Sequence, residues 1–265
     1  MNYYTGLLSV HLELTSACNK NCWMCGRRKL EKTHPQLVVG KYMDMSLVQR
    51  IARQLPKGII VQFHNNGEPT MYPKLGEALK LFENQVRCFN TNGKLILDKY
   101  DEICNNVDTM TISVIENDPE AEAQYQLVTT FLSKKGNRKP RLIYRLLGNV
   151  ENAERWHKLP GLVATRVLHK PEGSFGYEKK VTIPEVGFCI EAFNHMAISC
   201  QGEVSMCVRF DPNRVGVLGN VRNEQLYDIW NGAKRQHWLK MHVEGWRSKI
   251  QLCSKCDFYG VPRGD

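Results

Sequence analysis

Long hydrophobic runs are missing from this chain. In its 265 residues no stretch approaches the roughly 18 uninterrupted apolar residues of a membrane-spanning helix. The opening segment MNYYTGLLSVHLEL lacks the basic start, apolar core and small-residue cleavage site of a secretory signal. The expectation is a cytoplasmic protein with no membrane partner. Internal repeats and low-complexity tracts are lacking as well, which excludes repeat architectures. A disulfide framework is also missing, because the ten cysteines carry the spacing of metal ligands and the cytosol keeps thiols reduced. No nucleic-acid reader motif interleaves the basic residues with aromatics: Arg27, Arg28, Lys179, Lys180 and Lys234 are scattered.

What remains is the composition of an ordinary folded protein, 42% apolar and 24% charged. The length suits one large domain or a domain with an appendage. From residue 7 to about 168, short apolar runs alternate with amphipathic stretches. LLSVHLEL, GIIVQF, VRCFN, TMTISV, RLIYRLL and LVATRVL read as strands. Helices are expected between them near Ser46–Gln54, Lys74–Glu83, Asp98–Cys104, Glu120–Lys134 and Glu151–His157. Six βα-type repeats predict an α/β fold, a partial (β/α)6 barrel of parallel strands with its active site at the strands' C-terminal ends. The Gly-rich, charged segment HKPEGSFGYEKK reads as a linker. Beyond it AISCQGEVSMC predicts a β-hairpin turning at Gln201 and Gly202, with helices near Gln225–Trp230 and Ala233–Glu244. The units are placed at residues 1–175 and 176–265.

Cys18, Cys22 and Cys25 stand as CNKNCWMC directly after the first strand. Three thiolates so close together can hold three corners of a cubane 4Fe-4S cluster and leave the fourth iron open to a ligand. Zinc normally closes its tetrahedron with a fourth Cys or His, and the nearest histidine, His34, has no pairing pattern. Cys189, Cys207, Cys253 and Cys256, separated by 17, 45 and 2 intervening residues, form a second set of four. Four thiolates make a complete cage for either zinc or an iron-sulfur cluster, and spacing alone does not decide between them. Cys88 and Cys104 read as small buried hydrophobes. Cys200, before the hairpin turn, is either a packing thiol or a hydrogen-atom donor.

The triplet on the loop after strand one resembles the radical S-adenosylmethionine superfamily. The resemblance implies that the amino and carboxylate groups of S-adenosylmethionine chelate the open iron. It further implies that the reduced cluster cleaves this cofactor to methionine and a 5′-deoxyadenosyl radical, which takes a hydrogen atom from the substrate. Met24, with Trp23 beside it, stands where the family usually places an aromatic near the adenine. HNNGEP matches the family's loop for the methionine amino group, with Gly67, Glu68 and Pro69 kept and Asn66 replacing a glycine. FNTNG and TISV fall where the family contacts the ribose, which offers Asn92 and Ser113. Arg145 would meet the methionine carboxylate or else form a structural ion pair. Gly202, GNV at 219–221, DIWN at 228–231 and the terminal CxxC resemble the small auxiliary domain SPASM in its single-cluster Twitch form. The layout is similar to that of the deoxy-scyllo-inosamine dehydrogenases, aminocyclitol-oxidising Twitch enzymes, but the linker elements differ, so substrate identity does not carry over.

The resemblance implies two 4Fe-4S clusters and S-adenosylmethionine as cofactors. An external electron donor such as flavodoxin or ferredoxin would be the partner. The expected reaction is oxidation of a polar small-molecule, peptide or nucleotide substrate, its electron passing to the auxiliary cluster. Redox-neutral epimerisation, or peptide or nucleic-acid modification, is the alternative. Only 17 residues precede Cys18, so a peptide substrate would need a separate recognition partner. Seven thiolates around two cores of charge about +2 bring a formal net charge of +9 down to about +6, a modest excess that suits an anionic substrate or simply a basic surface. His169, Lys170 and Glu172, leaving the last strand, are candidates to hold the substrate and accept its proton, or are a solvated linker.

Overall fold

The computed structural model of the chain describes residues 4–166, 188–209, 211–254 and 256. Six strands follow the sequence pattern: β1 (Ser9–Leu12), β2 (Ile60–Gln62), β3 (Val86–Thr91), β4 (Thr109–Ile115), β5 (Arg141–Leu147) and β6 (Leu162–Arg166). All their pairings are parallel. In β1 the apolar Val10 and Leu12 alternate with polar Ser9 and His11. One face of the strand therefore joins the apolar core while the other lines the concave side of the sheet.

The expected helices are present as α2 (Met45–Ala52), α3 (Leu75–Lys80), α4 (Tyr100–Asn106), α5 (Ala121–Lys135) and α6 (Glu154–His157). They are preceded by α1 (Arg27–Thr33). The strongly amphipathic α2 buries Leu47, Val48 and Ile51, and α5 buries Val128 and Phe131. These residues pack with Val10, Val61, Phe89, Ile112 and Tyr144 in one continuous core.

The C-terminal part contains α7 (Ile190–Asn194), β7 (His195–Ile198), β8 (Glu203–Ser205), β9 (Val217–Asn220), α8 (Leu226–Asn231) and α9 (Ala233–Val243). The predicted hairpin is β7–β8, and Gly202 occupies the left-handed region of its turn with φ +87. This hairpin is joined to the main sheet. β7 lies parallel to β1, with Ser9 opposite His195 and Leu12 opposite Ile198. The nine strands run in the order β6-β5-β4-β3-β2-β1-β7-β8-β9. Core residues Met196, Ile198, Val204 and Trp230 belong to the same cluster as the apolar residues of β1 to β5 and the helices packed on them. The linker and the proposed unit boundary lie outside the described residues. Among the described residues no helix is long and apolar enough to cross a membrane.

Candidate functional site

The loop carrying Cys18, Cys22 and Cys25 leaves the C-terminal end of β1 and runs into α1. Side chains from several elements hold its shape. Arg27 is buried and donates to the carbonyls of Ser16 at 2.5 Å and Val38 at 2.8 Å. Lys20 pairs with Asp118, after β4, at 2.5 Å, and both side chains are buried. Asn19 Oδ1 accepts from Asn92 Nδ2 at 2.8 Å, and Trp23 Nε1 donates to the Glu116 carbonyl at 3.3 Å. Burial pushes all three thiols up, Cys22 to about 12, with Cys25 and Cys18 adding like-charge repulsion at Cys22. Three half-buried thiols on one loop are a donor set that suits a cationic metal group, whose binding would offset the cost of ionising them.

Met24 packs with Ile115 at the end of β4, with Cys22 and Leu147 beside them. A cleft of about 570 Å³ opens beside the loop, lined by Cys18, Lys20, Cys22, Trp23, Lys94 and Asp118 among others. Among the described residues no group of three or more His, Cys, Asp or Glu side chains is set to hold a metal ion. A cubane attaches each thiolate to a separate iron, so its ligands need not converge on one point as they do around zinc.

The HNNGEP loop docks directly on this segment. A Cβ at Gly67 would stand 2.0 Å from the Thr15 carbonyl oxygen and 2.8 Å from that of Ala17, so only glycine fits. Glu68 N–H donates to the Ala17 carbonyl at 2.7 Å. The Glu68 carboxylate is buried and burial raises its pKa. Its Oε1 accepts from Thr70 N at 3.1 Å and from the Thr70 and Thr91 hydroxyls at 2.7 Å each. Oε2 accepts the Asn92 N–H at 2.8 Å. Glu68 thus ties the loops after β2 and β3 together, a bracing role that the motif alone did not express.

Asn92 spends its side chain within the loops, Oδ1 accepting from Lys94 N at 2.9 Å. Ser113 and Arg145 face each other across β4 and β5, with Arg145 Nη2 donating to Ser113 Oγ at 3.1 Å. In its hydrogen-bonded amide orientation, Asn90 Oδ1 accepts from both Arg145 Nη atoms and from His64 Nε2. Arg145 has no carboxylate partner among the described residues. Burial, with Arg166 and Arg209 nearby, lowers its pKa to about 10.

Several polar residues of the concave face had gone unassigned. His11 lies with its ring centroid 5.4 Å from that of His64 and 5.7 Å from that of His195. Burial holds all three below the usual histidine range, His11 at about 3. Glu13 is buried, its carboxyl raised by burial, and it accepts from Asn66 N at 2.9 Å and from Cys200 N at 3.5 Å. The period-two alternation of SVHLEL marks Ser9, His11 and Glu13 as one face and was the available signal.

Of the second cysteine set, Cys189 precedes α7, Cys207 follows β8, and Cys253 and Cys256 lie beyond α9. Because β8 runs back antiparallel to β7, Cys207 stands at the opposite end of the hairpin from Cys200 and does not obey the strand-end rule expected for the other motifs. Cys189 N–H donates to His242 Nδ1 at 3.3 Å, and His242 Nε2 lies 3.7 Å from Cys253 Sγ. Arg247 Nη1 donates to the carbonyls of Cys253 and Cys256. Cys200 is buried and burial raises its thiol to about 11. A second cavity, of about 90 Å³, is lined by Glu13, Asn66, Cys200, Cys207 and Arg209 among others. His169, Lys170 and Glu172 lie outside the described residues.

Comparison with known proteins gives three findings. Residues 189–257 match SPASM, an iron-sulfur cluster-binding domain, and that span holds all four cysteines of the second set. The S-adenosyl-L-methionine-dependent 2-deoxy-scyllo-inosamine dehydrogenase of Niallia circulans is 23% identical over 259 residues, 95% of this chain and 93% of that protein. Among solved structures, BtrN in complex with AdoMet and 2-DOIA has a TM-score of 0.67 at 19% identity, covering 98% of this chain and 96% of that one. Streptococcus suis SuiB bound to S-adenosylmethionine has a TM-score of 0.58 at 14% identity, covering 96% of this chain and 73% of that one. The chain therefore resembles S-adenosylmethionine-dependent iron-sulfur enzymes along nearly its whole length, as its motifs implied, and it shares their mostly parallel α/β fold.

Proposed function

We propose that this chain is a radical S-adenosylmethionine oxidoreductase that dehydrogenates a polar substrate, with an auxiliary 4Fe-4S cluster at Cys189, Cys207, Cys253 and Cys256 as the electron acceptor. The observation that carries the reading is the 90 Å³ cavity lined both by Asn66, of the loop that docks on the cysteine triplet, and by Cys207, of the second set. A substrate radical has to lie close enough to the electron acceptor for an electron to pass through the protein, and this cavity is bordered by a residue of the loop beside the triplet and by a cysteine of the second set. The similarity to a dehydrogenase of nearly equal length supports the direction of the reaction.

When bound, a cluster on Cys18, Cys22 and Cys25 and its S-adenosylmethionine would supply a carbon radical able to take a hydrogen atom from the substrate. The protein's part is to bind and orient. Backbone carbonyls around Asn66 and Gly67, with Glu68 Oε2, offer acceptors to an ammonium group. Arg145, uncompensated by any carboxylate among the described residues, offers a bidentate partner to a carboxylate, and Ser113 beside it offers a hydroxyl to a ribose; Asn92, engaged by Asn19 and Lys94, would reach a ribose only through its second Nδ2 hydrogen. Met24, in its apolar contact with Ile115, gives the adenine a polarisable neighbour. The electron for cofactor cleavage would come from a small redox protein such as flavodoxin or ferredoxin.

One observation favours a redox-neutral second reading. Cys200 lines the same cavity and burial keeps its thiol protonated, which is the state a hydrogen-atom donor needs.

Anaerobic reconstitution with iron and sulfide, followed by mass spectrometry of the nucleoside products, tests the leading reading. The wild type is expected to form 5′-deoxyadenosine, and Cys22→Ala to form none. Undiminished cleavage by Cys22→Ala would remove the triplet from the chemistry.

A further inference from the structure

His242 lies on α9, outside the cysteine motifs, yet it touches two of the four residues that would hold the auxiliary group. It is buried, at 2% exposure. A backbone N–H can only donate, so the bond from Cys189 N to His242 Nδ1, 3.3 Å long, makes Nδ1 the acceptor. The ring proton of the neutral tautomer then sits on Nε2. That nitrogen points at Cys253 Sγ, 3.7 Å away, within the reach of an N–H···S bond. The ring is held from other sides too, with Phe193 edge-on at a centroid separation of 6.2 Å. Its orientation is therefore set by backbone and packing before any metal group arrives.

We propose that His242 is a positioning residue of the auxiliary site: it fixes the Cys189 backbone and donates an Nε2–H···S hydrogen bond to the Cys253 thiolate, raising the reduction potential of the cluster held there. The inference rests on the reading of the second cysteine set as an iron-sulfur site. Its physical basis is that a donor aimed at a ligand sulfur stabilises the extra negative charge of the reduced state more than that of the oxidised state. An electron acceptor for a substrate radical gains driving force from this bond. The motif cannot express it, because His242 is separated from Cys253 by a helix end and a turn.

The test uses the full chain with Cys18, Cys22 and Cys25 replaced by Ala, so that only the auxiliary cluster contributes. His242→Phe and His242→Gln are made in this background, and the three proteins are compared by iron content, EPR-monitored redox titration and pulsed EPR after exchange into deuterated buffer. Three results are expected. All three proteins hold about four irons. His242→Phe titrates at a more negative potential and loses a strongly coupled exchangeable deuteron. His242→Gln, whose amide can place an N–H near the position of Nε2, recovers much of both. An iron-loaded His242→Phe with unchanged potential and unchanged deuteron coupling overturns the role of His242. Failure of the histidine-containing background to hold iron, or its loading with zinc, overturns the reading of the site itself. Loss of iron from His242→Phe alone reduces the residue to a structural clamp if His242→Gln keeps its iron but shows no exchangeable coupling.

Discussion

Gly67 separates motif from mechanism at the level of one residue. The methyl group of an alanine there would collide with the carbonyls of Thr15 and Ala17, both backbone atoms of the segment leading to Cys18. Relief requires the two loops to part, which shifts the segment that leads to Cys18. Gly67→Ala is expected to lower 5′-deoxyadenosine formation by about tenfold or more and stability by about 1–3 kcal/mol, read from product analysis and urea unfolding. Gly40→Ala, where the added carbon meets only Ala17 Cβ at 3.5 Å, should change neither. The Gly-Glu-Pro motif made this position legible from sequence. The same motif pointed to Glu68 as a ligand for an ammonium group, whereas most of its hydrogen bonds hold loops together. His64 and Asn90 sit inside the HNNGEP and FNTNG motifs, which singled out other residues of those loops, and Glu13 carried no motif at all. A polar residue inside a strand announces its face through alternation, but not its partners on neighbouring strands, which are set by register.

At the scale of elements, β1 to β6 and α2 to α6 followed from alternating patterns because each is a local signal of adequate length. The exceptions have local reasons. Helix α1 buries one apolar residue, Leu30, beside the charged Arg27, so no apolar stripe marks it in the sequence. Strand β9 is half-buried at every position, so it lacks alternation. The pairing of β7 with β1 joins residues far apart in the chain, Ser9 with His195, and no window of sequence contains both partners. Its consequence is testable. Ile198, fully buried at the β1–β7 seam, belongs to the same core as the apolar residues between the parallel strands and their helices. Ile198→Ala is expected to destabilise the whole protein by about 2–5 kcal/mol. Far-UV circular dichroism and tryptophan fluorescence should then shift together in one transition. A mutant in which the C-terminal strands unfold separately, leaving the remaining transition at its wild-type midpoint, would mean that the seam carries little of the fold.

For the whole molecule, the decisive question is why two cysteine sets share one sheet. A single cluster with an open iron suffices to cleave S-adenosylmethionine. Four thiolates at the second site would fill every external position of a cubane, so substrate cannot coordinate it, and redox capacity is what it retains. Under the proposed oxidation, hydrogen abstraction would leave an electron on the substrate that must go somewhere, and Asn66 and Cys207 line one cavity. Replacing Cys253 and Cys256 together with Ala should therefore leave 5′-deoxyadenosine formation partly intact while suppressing oxidised product, because the triplet loop is held by Arg27, Lys20 and Gly67 independently of those residues. Iron should fall from about eight to about four per chain. The measurement is a paired assay of nucleoside and substrate-derived products in one reaction. Equal loss of both products would make the second site structural. Full retention of oxidised product would move the electron acceptor elsewhere. If the wild type itself returns its substrate epimerised, with no oxidised product, Cys200 in the shared cavity becomes the donor to remove next, and Cys200→Ala should then abolish the inverted product while cofactor cleavage continues.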